Sequence, residues 1–217
     1  RAKPGLGTAL SGGRIAVDFF RELARQVQET HANLEGANFF WADERCVPPG
    51  HADSNYRIAA ECLLKPVGVP PHNVHRIPGE SSPLAAAATA ELALRYWARD
   101  TEHGQPVLDV VLLGMGEDGH VASLFPGASH EVEQSAATYL AVVGPKPPPQ
   151  RISLSYKAIA AARQVWVLAS GAGKEAALRQ SLAGGDTPLS RVLRLRGEAT
   201  IFTDIDRKST RLNPSHT

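Results

Sequence analysis

The sequence predicts an α/β fold in three layers, α/β/α, with a mostly parallel, Rossmann-like sheet in a single domain. Three observations carry that prediction. Apolar runs of strand length alternate with amphipathic helical stretches along the whole chain. The run Val107, Leu108, Val110, Val111, Leu112, Leu113 is apolar on both faces, as a parallel strand covered by helices must be. Glycine turns follow two of the runs directly, Ser11-Gly12-Gly13 after one and Gly171-Ala172-Gly173 after another, and each leads into a helical pattern.

Leu6-Gly7-Thr8-Ala9-Leu10 reads as the first strand, and residues 15–30 as an amphipathic helix with Ile15, Phe19, Phe20, Leu23 and Val27 on one stripe. Asn38-Phe39-Phe40-Trp41-Ala42 is a second strand, closed by the charged loop Asp43-Glu44-Arg45 and by Pro48-Pro49-Gly50. Asp53 or Ser54 caps a helix over 55–64, and an alanine-rich helix over 85–99 follows Pro83. Strands are predicted at 107–113, 139–143, 152–155, 165–169 and 199–202, with a stiff proline connector at 145–149. Residues 157–162 read as a short helix, and another runs from Gly171-Ala172-Gly173-Lys174 to about Leu182.

The 217 residues, 43% hydrophobic, suffice for one sizeable core. A net charge of +1 with no basic stripe argues against a nucleic-acid partner, so any anion selectivity must be local. No apolar stretch has membrane-spanning length and no signal-peptide pattern opens the chain. Cys46 and Cys62 fit reduced thiols, which with these features points to the cytoplasm. The histidines show no convincing metal spacing; His72 and His75, three apart, are read as coincidence, and no cofactor or metal is expected. The chain opens on Arg1 and reaches a strand almost at once, so an N-terminal segment is expected to be missing. Residues 206–217, Asp-Arg-Lys-Ser-Thr-Arg-Leu-Asn-Pro-Ser-His-Thr, resemble a translated sequencing adapter with one changed residue. They are set aside as a non-native, disordered tail, leaving 1–205 as the domain.

The stretch 112–127, Leu-Leu-Gly-Met-Gly-Glu-Asp-Gly-His-Val-Ala-Ser-Leu-Phe-Pro-Gly, concentrates the chemistry. An apolar strand runs into Gly114, Gly116 and Gly119 and delivers His120 at the carboxyl end of the sheet, where ligands bind in open α/β folds. Asp118-Gly119 is also a common turn dipeptide, so local chemistry alone fits a plain turn as well. Backbone amides of 114–119 are candidates for an oxyanion site. Ser11-Gly12-Gly13 sits between a strand and a helix amino end, a natural phosphate site. Asp43-Glu44-Arg45 closes a buried strand with both signs of charge, and Lys174 in a first helical turn opposes the dipole unless an anion is near.

The string Gly-x-Gly-x-Asp-Gly-His-x-Ala-Ser-Leu-Phe-Pro resembles the signature of the 6-phosphogluconolactonases, of the glucosamine/galactosamine-6-phosphate isomerase superfamily and of bacterial type. Phe40–Pro48 with Asp53-Ser54-Asn55, the segment 145–154 and Gly171–Lys174 resemble further blocks of that family, together covering most of 9–182. The resemblance implies that His120 is the catalytic base and that Arg45, Lys174 and Ser11–Gly13 hold a phosphate. It also implies that Asp43 orders the site, that Arg151 stands at its edge, and that Gly116 and Gly119 shape the substrate loop. Either Asp118 or Asp43 would orient the imidazole. The chain departs from the pattern at Arg14-Ile15-Ala16, where the family carries a hydroxyl residue and then Thr-Pro. The implied reaction is hydrolysis of 6-phospho-D-glucono-1,5-lactone to 6-phospho-D-gluconate, the second step of the oxidative pentose phosphate pathway. The implied partner is this small sugar phosphate, and the chain is expected to be a monomer or weak homodimer. Two rivals stand beside this reading. An amino-sugar phosphate isomerase/deaminase shares the fold, but its signature continues Ile-Ala-Phe-Asn-Glu-Pro after Asp-Gly-His. A sugar-phosphate-binding module without turnover would keep the loops and lose the chemistry.

Overall fold

The computed structural model describes residues 5–205; the expected tail at 206–217 lies outside them. In chain order the strands are β1 (Gly7–Leu10), β2 (Asn38–Trp41), β3 (Asp43–Arg45), β4 (Thr101–Glu102), β5 (Gln105–Pro106), β6 (Val110–Gly114), β7 (Tyr139–Val143), β8 (Gln150–Leu154), β9 (Gln164–Ala169) and β10 (Thr200–Thr203). The α-helices are α1 (Arg14–Thr30), α2 (Asn55–Ala59), α3 (Pro83–Trp97), α4 (His130–Gln134), α5 (Tyr156–Ala160), α6 (Glu175–Leu182) and α7 (Pro188–Arg196).

Five strands form the central sheet in the order β10-β9-β6-β1-β2, and every pairing in it is parallel. The inner strand β6 is apolar on both faces because helices cover both, and Val111, Leu112 and Leu113 are buried. The amphipathic stripe of α1 turns Ala16, Phe20 and Ala24 to the core and packs Ile15, Phe19 and Leu23 at its border. The predicted strand at 107–113 enters the ladder only at Val110. Ahead of it, Val107 N–H bonds the Asp100 carbonyl as the chain leaves the small β4–β5 hairpin.

The largest departure from the sequence reading concerns the predicted loop Asp43-Glu44-Arg45, which is a strand. It joins β8 and β7 in a separate antiparallel sheet of order β3-β8-β7, so the predicted strands at 139–143 and 152–155 lie outside the parallel sheet. Ala42 is the crossing point. Its N–H bonds the Leu10 carbonyl of the first sheet and its carbonyl accepts from Leu154 N–H of the second. The charges of β3 are tolerated because Glu44 satisfies the amino end of α2 and Asp43 is hydrogen-bonded from two other segments.

The helix at 55–64 forms as α2 followed by a π-helical turn over Ala60–Leu64. Two helices had no counterpart in the reading: α4, and α7, whose Thr187 cap, Pro188 at the first position and Gly197 stop were visible signals. Among the described residues no helix is long and apolar enough to cross a membrane.

Candidate active site

The carboxyl end of the parallel sheet opens into a cavity of about 690 Å³. Ser11, Gly12, Gly13, Asp43, Arg45, Gly116, Asp118, His120, Arg151 and Lys174 all line it, so ten of the eleven predicted site residues converge on one space. Gly119 is the exception. Its φ of 78° makes the turn that only glycine takes easily, its carbonyl accepts from Leu189 N–H at 3.1 Å, and a Cβ there would meet Thr187 at 2.9 Å. It docks the loop onto α7 behind the cavity wall and does not face the ligand space.

His120 is held from its own loop. Nδ1 lies 2.6 Å from Asp118 Oδ1, which also accepts the His120 backbone N–H at 3.1 Å. Burial opposes ionisation of Asp118, but the hydrogen bonds from His120 outweigh it and hold the carboxyl below its ordinary value. Phe125 packs against the imidazole with ring centroids 4.8 Å apart. Gly116 makes room for the pair, since a Cβ there would fall 2.1 Å from Nδ1.

Asp43, the other carboxyl that sequence allowed as the partner of His120, is engaged elsewhere. Oδ2 accepts from Ser123 Oγ at 2.7 Å and Oδ1 from Asn55 Nδ2 at 3.2 Å, all three residues being buried. Asp43 thereby ties β3 to the amino end of α2 and to the signature loop. Neither Asn55 nor Ser123 was singled out from sequence, because they stand 12 and 80 residues from Asp43. Ser123→Ala removes one donor from a buried carboxyl and is expected to cost about 1–3 kcal/mol in urea unfolding.

Three of the amides expected to serve an oxyanion are already bonded. Met115 N–H bonds Leu168, Gly116 N–H bonds His120 and Gly119 N–H bonds Gly116, all at carbonyl oxygens. The turn that aims His120 takes up these donors itself.

Positive charge is abundant instead. Arg14, Arg45, Lys146, Arg151 and Lys174 line the cavity against Asp43, Glu117 and Asp118, and none of the five cations forms an ion pair with a carboxylate among the described residues. Arg45 donates to the Asp53 carbonyl at 2.6 Å, while its buried Nε, like the buried Ser11 Oγ and Asn55 Oδ1, has no hydrogen-bond partner among the described residues. Arg151, opposite Arg45 in the β3–β8 register, donates to the carbonyls of Pro148 and Lys146 and lies over Phe125. Burial and the neighbouring Arg45 push its guanidinium down from the ordinary value. It is buried, and it braces the proline loop. Gly12 must be glycine, because a Cβ would sit 1.8 Å from Asn55 Oδ1.

The family model for glucosamine-6-phosphate isomerases/6-phosphogluconolactonase matches residues 2–202. The chain is 36% identical over 205 residues to the 6-phosphogluconolactonase of Streptomyces coelicolor, covering 91% of this chain and 78% of that one. It is 34% identical over 209 residues to a probable chloroplastic 6-phosphogluconolactonase of rice, covering 90% of this chain and 63% of that one, and so spans less than two thirds of the rice relative. The solved 6-phosphogluconolactonase of Trypanosoma brucei superimposes with a TM-score of 0.79 at 31% identity, over 91% of this chain and 83% of that one. The chain belongs to the glucosamine-6-phosphate isomerase/6-phosphogluconolactonase family.

Proposed function

We propose that the protein hydrolyses 6-phospho-D-glucono-1,5-lactone to 6-phospho-D-gluconate, the second step of the oxidative pentose phosphate pathway, in the cytoplasm. The observation that carries this reading is an imidazole aligned by a carboxylate inside a cation-lined cavity at the end of a parallel sheet. With the proton on Nδ1 directed at Asp118, Nε2 keeps its lone pair for a water molecule. His120 takes a proton from that water as its oxygen bonds to C1, and the carbonyl electrons move onto oxygen. When the tetrahedral intermediate collapses, the bond from C1 to the ring oxygen breaks and His120 returns the proton to that oxygen. The acid so formed ionises and releases one proton to solvent.

Lys174, Arg45 and the Ser11–Gly13 loop hold the phosphate, and binding at that remote group positions C1 against the water. With the loop amides at 115, 116 and 119 already bonded, the cationic lining joins the remaining loop amides in stabilising the transient oxyanion. No step calls for a metal or cofactor, since a lactone is already an activated ester.

A coupled assay with freshly generated lactone tests the reading, run beside ammonia release from glucosamine 6-phosphate. Lactone consumption above the spontaneous rate supports it; ammonia release without lactonase activity overturns it in favour of the deaminase. The sequence after His120, Val-Ala-Ser-Leu-Phe-Pro, favours the first outcome. Gly116→Ala gives a separate check. The added methyl displaces the imidazole, and kcat is expected to fall on the order of 100-fold while the thermal midpoint changes little.

A further inference from the structure

We propose that Arg14 joins Lys174 in a clamp that selects a doubly charged phosphate group over a singly charged anion of the same shape. This deepens the reading above and rests on the cavity being a sugar-phosphate site. Arg14 is the first residue of α1, directly after Gly13, whose φ of 98° turns the chain into the helix. No acidic residue occupies the first turn of α1 and no side chain caps it, so this cation opposes the helix dipole without local compensation. Lys174 occupies the same kind of position ahead of α6, at the end of the short 3-10 turn Ala172–Lys174.

Both side chains line the cavity, and the two charges act on one another: burial first, and then Arg14, push the Lys174 ammonium below its ordinary value. Glu117 and Asp204 oppose that shift, yet neither forms an ion pair with Lys174, and Arg14 has no ion-pair partner among the described residues. Ser11 lines the same cavity, and its buried hydroxyl has no hydrogen-bond partner among the described residues. Two helix amino ends, two cations without an ion pair among the described residues and one orphaned hydroxyl thus line the same cavity. Like charges in this arrangement repel until an anion enters. A monoanion offsets one of them, whereas a phosphate monoester dianion offsets both and can accept from Arg14 through two oxygens.

The test uses the full chain and isothermal calorimetry with glucose 6-phosphate and glucose 6-sulfate, which share a shape but carry two charges and one. In the wild type the phosphate is expected to bind at least about tenfold tighter than the sulfate. In Arg14→Ser that ratio should shrink to within about threefold, with phosphate affinity down about tenfold and KM for the lactone raised in step at little change in kcat. Arg14→Lys, which keeps the charge, should restore most of the preference. An unchanged ratio in Arg14→Ser overturns the clamp, as does an equal loss for phosphate and sulfate, which would mark a structural role. Absence of lactone hydrolysis alongside an Arg14-dependent phosphate preference would remove the proposed reaction and leave the clamp standing. If neither 6-phosphogluconate nor glucose 6-phosphate binds the wild type, both readings fall.

Discussion

His120→Ala is expected to bring lactone hydrolysis down to the spontaneous rate, a loss on the order of 100- to 10,000-fold in kcat/KM, with binding of 6-phosphogluconate retained. The structure gives the reason for the separation. The imidazole and its carboxylate partner sit on the signature loop, whereas the elements proposed to hold the phosphate are β1–α1, β3 and the turn before α6. Activity surviving in His120→Ala would sink the general-base assignment, and loss of product binding would mean that the residue holds substrate. Asp118→Asn is expected to keep measurable hydrolysis, since it disturbs only the orientation of the ring. Asp118 is held below its ordinary value, so its contact with His120 contributes fully above that ordinary value and is lost as pH falls through the lowered one. The variant and the wild type should therefore converge in stability under acid, which pH-dependent urea unfolding reads directly.

Glu44→Ala is expected to have the largest effect on stability, about 3–5 kcal/mol in urea unfolding. This buried carboxyl accepts four hydrogen bonds: from the backbone N–H groups of Arg45, Asn55 and Tyr56 at 2.7–2.8 Å, and from Ser54 Oγ at 3.0 Å. Truncation orphans all four donors, three of them at the amino end of α2, and loosens Asn55, through which Asp43 is held. A fall in kcat should accompany the loss of stability. Burial pushes the Glu44 carboxyl up, against the hydrogen bonds that pull it down, and the net shift is upward from the ordinary 4.5. The folded protein thus binds that proton more tightly than the unfolded chain. Relative to Glu44→Gln, which cannot titrate there, wild-type stability should fall as pH rises from about the ordinary carboxylate value through the raised one. A difference that is flat or rises with pH across that window would refute the assignment.

The alternation of strands and helices was legible because it depends on short-range periodicity. So was the placing of His120, since the apolar run that ends in glycines, Val110–Leu113, forms a buried strand that delivers its loop to the sheet's edge. The second sheet was not legible. Asp43-Glu44-Arg45 has the composition of a surface turn, and nothing local announces that Glu44 will cap α2 or that Ser123 will meet Asp43 from 80 residues away. Helix α7 carried its cap, proline and terminal glycine in plain view, but nine residues with arginines interspersed among the apolar ones gave too short a stripe to stand out. The state of the loop amides was legible only in part. A glycine-rich turn tight enough to aim a side chain closes on its own carbonyls, and composition does not reveal that.

Sequence by itself determined the fold class, the loops that meet at the sheet's carboxyl end and the residue types available there, because each follows from spacing along a few consecutive residues. Tertiary structure alone decided which carboxyl orients His120, that Gly119 faces α7 and that Arg14 and Lys174 line one cavity. Those outcomes depend on where separate segments end up in space to within an ångström or two. Only the packed core sets such distances, and no periodicity in the chain encodes them.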